Sequence, residues 1–170
     1  MLPLQTERLL IRELTLADAP FVLQLLNEPA FHEFIGDRGV RDVAGAEKYL
    51  AERVLASYAK HGFGLWGVTL RDGTPLGICG LLQRDYLENP DLGYAFLARH
   101  HGQGYAHESA AAVVRLADGP LGRATLHAVT AFRNPASIRL LGKLGFDFVK
   151  FFDQPGYPEP SRLFTRVRSS

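Results

Sequence analysis

The apolar residues of this chain fall into short runs and helical stripes separated by turn residues, and the pattern predicts alternating strands and helices. Arg8 to Leu14 reads as a strand. Thr15 with Asp18 resembles a capping box, but that register would set Pro20 too deep in a helix. Asp18 as N-cap places Pro20 in the first turn, where its missing N–H costs nothing. Phe21, Val22, Leu25 and Leu26 then share one face, and Asn27-Glu28-Pro29 ends the helix. Phe31 to Val40 is expected to be irregular. A second helix spans about Asp42 to Lys60, with Tyr49, Leu50, Val54 and Tyr58 inward and Gly62 as its stop.

Gly64 to Leu70 and Leu76 to Gln83 form a hairpin about Arg71-Asp72-Gly73. Arg84 to Pro90 is a loop, Leu92 to Leu97 a strand, and an Ala-rich helix follows that ends near Asp118. Thr125 to Ala131 is a strand. A helix then runs from Asn134 to about Leu144, with Gly145 just past its end. Phe146 to Phe152 and Arg162 to Arg168 are strands around a Pro-rich loop, Asp153 to Pro160. The order β-α-α-β-β-β-α-β-α-β-β belongs to the α+β class, one mixed sheet with helices on both faces.

Composition narrows what such a fold does. The 170 residues form one domain, residues 1–170, with no internal repeat or linker. A chain of this size buries roughly 70% of its unfolded surface without covalent staples. Nineteen Lys and Arg against eighteen Asp and Glu leave a net charge of +1, so no global field points to nucleic acid or an anionic membrane. The single Cys79 excludes an internal disulfide, fits a reducing cytoplasmic compartment, and sits inside an apolar run as a core residue rather than a nucleophile. Glu7 and Arg8 arrive before any apolar signal region, and no run approaches the length of a membrane span.

The chemistry begins at Asp91 to Asp118, where strand, basic loop (Arg99-His100-His101), glycine turn (Gly102-Gln103-Gly104) and helix follow one another. The first turn of a helix has amides without intrahelical partners and carries partial positive charge. Glycines let the backbone approach a ligand. Together these suit a phosphate, although the same turn also serves as a plain strand-to-helix connection. The third glycine of a dinucleotide fingerprint and the Gly-Lys-Ser/Thr of a P-loop are both missing.

Gly93-Tyr94, Gly102-Gln103-Gly104-Tyr105-Ala106-His107-Glu108 and Asn134 through Gly145-Phe146 occur in that order, after an opening Thr6-Glu7-Arg8-Leu9-Leu10-Ile11-Arg12. This set resembles the GNAT N-acetyltransferases over nearly the whole chain, and most of all their RimJ/RimL branch. The resemblance implies a GNAT-like three-layer fold around a mixed, mostly antiparallel sheet. It implies acetyl transfer from acetyl-CoA to a primary amine, a protein N-terminal α-amine or a small molecule, by direct attack in a ternary complex without a metal. Similar proteins are commonly homodimers. A lysine with pKa about 10.4 is far less often neutral than an α-amine near 8, so an α-amine acceptor needs less help from a base.

Site residues follow from the same resemblance. The amides of about Gly102 to His107 (Gly102, Gln103, Gly104, Tyr105, Ala106, His107) would hold the pyrophosphate, with His101 facing the phosphates where the wider family often has Gln or Arg. A backbone N–H near Phe96 or Leu97 would polarise the thioester carbonyl. Asn134 would bind the pantetheine arm, although Asn followed by Pro135 also suits a helix cap. Ser137 matches a serine near the CoA sulfur, or is a solvated first-turn serine. Where the wider family often has an acidic tyrosine this chain has Leu141, so a hydroxyl such as Ser137, or water, would meet the departing thiolate. Asp91 corresponds to a carboxylate that acts through water, or is an exposed strand-start residue. Glu108 is a second candidate for the base, or else complements the helix dipole or holds a neighbouring loop. His32, Glu33 and Asp37, and on the late loop Asp153, Tyr157 and Glu159, are candidates for the acceptor side. His100, His101 and His107 lack the spacing of a metal set. Two other readings fit the same cradle: an acyl-CoA sensing domain without turnover, and a nucleotide-binding module.

Overall fold

The computed structural model describes residues 2–169. Its eight-stranded sheet has the order β1-β2-β3-β4-β5-β6-β8-β7. The strands are β1 (Leu4–Gln5), β2 (Leu9–Arg12), β3 (Leu65–Leu70), β4 (Pro75–Leu82), β5 (Asp91–Phe96), β6 (Thr125–Ala131), β7 (Asp147–Phe152) and β8 (Ser161–Val167). Every neighbouring pair is antiparallel except β5 and β6. The mixed, mostly antiparallel sheet with helices on both faces is the fold class that the residue order predicts.

One face carries α5 (Tyr105–Asp118) and α6 (Pro135–Lys143), which pack Val113, Leu116 and Leu141 against Cys79, Leu126, Ala128 and Phe164. The other carries α1 (Ala19–Leu26), α2 (Pro29–Phe34), α3 (Val43–Tyr49) and α4 (Ala56–His61), with a π-helical segment, Leu50–Leu55, joining α3 to α4. There Leu25, Ala46, Leu50 and Val54 pack on Ile78 and Leu97. Among the described residues no helix is long and apolar enough to cross a membrane.

Local chemistry explains the boundaries. The carboxylate of Asp18 accepts the Thr15 amide at 2.8 Å and also binds Arg12, so a short 3-10 turn precedes α1 and Pro20 falls in the first helical turn. The π segment interrupts the second predicted helix without ending it. Gly62 stops that run in the left-handed region, φ +75°. After α6, Gly145 (φ +83°) donates to Gly142 and Phe146 donates to Leu141, a Schellman ending. Arg166 clamps the end of α5 through two 2.8 Å bonds to Asp118.

Two elements are absent from the predicted order. β1 has only two residues, too short to show a period. α2 occupies the start of the stretch expected to be irregular, with Phe31 buried. Pro29, read as a stop, opens the next helix instead, because a proline at the first helical position and one beyond a helix end look alike in sequence.

Candidate active site

The site is built on β5. This strand pairs with β4 along its whole length, Asp91 opposite Leu82 through Phe96 opposite Gly77. With β6 it shares one rung, Asp91 opposite His127, closed by the His127 amide on the Pro90 carbonyl at 2.9 Å. Beyond that rung the two strands part. The Leu97 amide donates to the Leu76 carbonyl at 2.9 Å, so Leu97 belongs to the β4 ladder. Backbone groups alternate sides along a strand, which turns those of Tyr94 and Phe96 into the gap. Leu97 is therefore corrected as a carbonyl-polarising donor, because its N–H is already used, and Phe96 is the neighbour whose amide faces the opening. Leu97 itself is fully buried against α1 and α3.

His101 lines the same cavity as Gly102 and Gly104. Its Nε2 donates to the Phe96 carbonyl at 2.8 Å, so the ring is docked on the end of the strand and fixes the loop that follows. That loop turns through Gly102 (φ +74°) and Gly104 (φ +82°) into α5. The first helical bond is from the Glu108 amide to the Gly104 carbonyl at 3.0 Å. Among the described residues no acceptor lies on the amides of Gly102, Gln103, Gly104, Tyr105, Ala106 or His107. Six consecutive free donors at the positive end of a 14-residue helix fit a pyrophosphate.

The cradle is braced from the opposite end of the sheet. Arg8 donates Nη1 to the Gln103 carbonyl at 2.8 Å and Nε to Glu108 at 2.6 Å, and its guanidinium lies 4.6 Å from the centre of the Tyr105 ring. Glu108 also accepts the Arg8 amide at 2.9 Å and the Thr6 hydroxyl at 2.6 Å. Partial burial pushes the Glu108 carboxyl up, but these donors outweigh it and hold it below the ordinary glutamate value. Glu108 thus holds the loop through Arg8 and Thr6 rather than standing free as a base.

On the α5 side of the gap, Tyr94 and Ser137 meet. Their oxygens are 2.5 Å apart, linking the splayed strand to the first turn of α6. Burial pushes the Tyr94 phenol up to about 12, against the opposing bond to Ser137, so it is a neutral donor near neutral pH. Asn134 caps α6 by accepting the Ser137 amide at 3.2 Å, which uses its oxygen and leaves its side-chain N–H groups available. Leu141 is fully buried in the core. Cys79 is buried as well, and burial raises its thiol to about 12 despite a bond from Ser109, so it is neither reactive nor exposed.

Asp91 projects from the other face of β5, the face of Leu97 and α1. It is 1% exposed, not an exposed strand-start residue, and its two oxygens accept Arg84 Nε at 3.0 and 3.1 Å. Arg84 in turn reaches the Tyr86 hydroxyl at 3.2 Å. Burial lifts the Asp91 carboxyl to about 6 even though Arg84 pulls it down. A carboxylate poised near 6 on one side of the gap and a neutral hydroxyl pair on the other are suited to take and give protons across it.

A continuous cavity of about 1430 Å³ joins these parts, from the glycine turn past Tyr94, Ser137 and Asp91 to a chamber under α2 and the late loop. Tyr157 closes that chamber by donating its hydroxyl to the Ile35 carbonyl. His32, Glu33, Asp37, Asp153 and Glu159 do not line it. Asp37 is tied to Arg41 and the Gly39 amide, and Glu159 lies 3.7 Å from Arg133. Of the acceptor-side candidates Tyr157 does line it, beside Phe31, Phe34, Arg38 and Tyr86. Tyr94, Arg84 and Tyr86 are contributors that sequence reasoning passed over. Only strand alternation, which puts Tyr94 opposite Cys79 and so on the α5 face, could have flagged the first. Among the described residues no three His, Cys, Asp or Glu side chains come together as a metal set.

The fold recurs in known proteins. The family model described as the acetyltransferase (GNAT) domain matches residues 8–147. YoaA, an uncharacterized N-acetyltransferase of Bacillus subtilis (strain 168), is 26% identical over 97% of this chain and 96% of its own. Among solved structures, an acetyltransferase of Agrobacterium tumefaciens superposes with a TM-score of 0.81 at 24% identity, covering 97% of this chain and 94% of that one. RimL, a ribosomal alpha-N-protein acetyltransferase solved with coenzyme A, gives 0.85 at 14% identity, covering 98% and 97%. The chain belongs to the GNAT acetyltransferase family. By that membership it is an acetyl-CoA-dependent N-acetyltransferase.

Proposed function

We propose that the enzyme transfers acetyl directly to a primary amine, either a protein N-terminal α-amine or a small-molecule amine, within a ternary complex. The observation that carries this reading is the parting of β5 from β6 onto six free amides, with proton-handling groups on both sides of the gap. Bound acetyl-CoA supplies an activated acetyl carbonyl. The Gly102 to His107 amides hold its phosphates, and Asn134, whose oxygen caps α6, offers N–H groups to the pantetheine arm. The Phe96 N–H faces the gap where charge develops on the carbonyl oxygen. Asp91, acting through water, takes the proton of the incoming amine from the chamber side. The Tyr94–Ser137 pair delivers a proton to the departing sulfur from the α5 side, the duty the missing tyrosine at Leu141 leaves open. The motif from Asn134 to Phe146 and the RimL-like fold support a RimJ/RimL-type enzyme, and the lone buried thiol fits a cytoplasmic setting.

Thermal unfolding with and without acetyl-CoA tests the reading. Ligand at about 100 times its Kd stabilises by roughly 2.7 kcal/mol, a rise of about 5–10 °C for a domain of this size. The rise is expected with acetyl-CoA, not with ATP or NAD, and is expected to vanish in Gly104→Asp, which sets a carboxylate among the amides. Turnover over a panel of amines follows. A folded protein that acetyl-CoA does not stabilise would sink the reading, and binding without turnover would make the chain a sensor.

A further inference from the structure

We propose that Arg38, Tyr49 and Arg53 form an anion receptor in the acceptor chamber, so that the amine substrate is one that also carries a carboxylate. This rests on the acetyl-transfer reading and names the acceptor class for it. The three side chains line the same cavity as Asp91, from three pieces of chain: the segment after α2, the end of α3, and the π-helical segment. Such π segments recur at functional sites. Arg38 and Arg53 both lie close enough to the Tyr49 phenol to pull on its ionisation, although burial outweighs them and keeps it raised. The phenol is therefore a neutral donor, and the trio offers only N–H and O–H groups to whatever fills the space between them.

Both arginines are exposed to solvent at the rim of the chamber, with Tyr49 partly buried behind them. Among the described residues neither arginine meets a carboxylate within ion-pair distance. Among the described residues of the lining, Lys48, Lys60, Arg139 and Lys143 are likewise unpaired, whereas the unpaired carboxylates are Glu52 and Asp85, so cations outnumber anions six to two. Asp91 is excluded from that balance because Arg84 already answers it. A polycationic amine would meet repulsion here. A planar carboxylate matches the paired-donor geometry of guanidinium, and Phe31, Phe34 and Ile35 offer apolar contact to the body between its two ends.

The test uses the product side, so that it does not depend on turnover. The CoA-saturated protein is titrated calorimetrically with N-acetylglycine, N-acetylleucine and N-acetylphenylalanine, and with the carboxamide of each. At least one acid is expected to bind about tenfold or more tightly than its amide. In the double variant R38Q/R53Q that preference is expected to disappear while the affinity for CoA and the Tm stay unchanged. Equal binding of acid and amide, a preference that survives in the variant, or binding of none of the six compounds would overturn the proposal. Absence of CoA binding at the saturation step would overturn the acetyl-transfer reading first, and this inference with it.

Discussion

The hydroxyls of Tyr94 and Ser137 stand 2.5 Å apart, one on the splayed strand and one on the first turn of α6, bridging the two walls of the gap. If the pair passes a proton to the leaving thiolate, each hydroxyl is needed only because of the other. Ser137→Ala and Tyr94→Phe are each expected to lower kcat by about 100-fold, with acetyl-CoA affinity little changed. The double variant is expected to be no worse than either single one, as for residues that act as a unit. Steady-state kinetics on the four proteins checks this, and losses that multiply would count against it.

Asp91 ties activity to pH. Burial lifts its carboxyl to about 6, so kcat/KM is expected to rise with pH through a limb near that value as the base ionises. Asp91→Asn is expected to lose the limb together with about 100-fold or more of the rate. A pH–rate profile of both proteins decides.

The same group ties stability to pH in the opposite sense. Its folded value lies above the ordinary 3.8, so between the two values the folded state holds the proton more tightly. Stability is fully present below the lower value and is lost as pH rises through the upper one. The wild type is expected to lose about 2 kcal/mol relative to Asp91→Asn between pH about 4 and about 7, by the worth of a pKa unit. Urea titrations of both proteins across that range measure the difference.

Glu108 gathers Thr6, the Arg8 amide and the Arg8 guanidinium, and Arg8 in turn holds the Gln103 carbonyl. Glu108→Ala is expected to loosen the glycine turn and raise the Kd for acetyl-CoA by about tenfold, the scale of one lost charge-assisted bond. Because the residue touches no reacting atom, kcat at saturation is expected to hold. Calorimetry with kinetics separates the two effects.

Gly80 tests the scaffold. A Cβ there would come within 2.0 Å of the Gly64 carbonyl oxygen, which accepts the Leu81 amide at 3.0 Å. Backbone cannot swing aside as a side chain can. Gly80→Ala is expected to destabilise by about 3 kcal/mol or more, whereas Gly142→Ala, on the open side of α6 with nothing within 4 Å, is expected to leave Tm unchanged or raise it slightly. Thermal scans of the two variants provide the comparison.

The parts of the site legible in sequence are those whose chemistry is contiguous. Gly102 to His107 is one turn and one helix start, and local rules for amides and glycines suffice to find it. Asn134 is likewise a cap before a proline. The rest depends on strand register and on chain segments that meet only after folding. Whether Phe96 or Leu97 points its amide into the gap turns on which of them pairs with β4, a parity that the apolar run does not encode. Arg84 is a loop residue that folding brings onto Asp91, and that carboxylate is buried and paired rather than an exposed strand end. Arg38, Tyr49 and Arg53 converge from separate segments, one of them a π turn that no helical period announces. Of the acceptor-side candidates, Tyr157 on the late loop lines the chamber, whereas His32, Glu33 and Asp37 lie off it because their segment begins as a helix rather than an irregular stretch. α2 instead turns Phe31 and Phe34 toward the chamber.

One rung between β5 and β6 has a mechanical consequence. The sheet is two antiparallel leaves, β1 through β5 and β6 with β8 and β7, stitched along their common seam at Asp91 and His127 and tied across the back by α5. An extended ligand arm lying in the seam and pairing with Tyr94 and Phe96 would replace the hydrogen bonds that β6 withholds. The donor would then complete the sheet it reacts on, and each release of spent carrier would unlace the two leaves again.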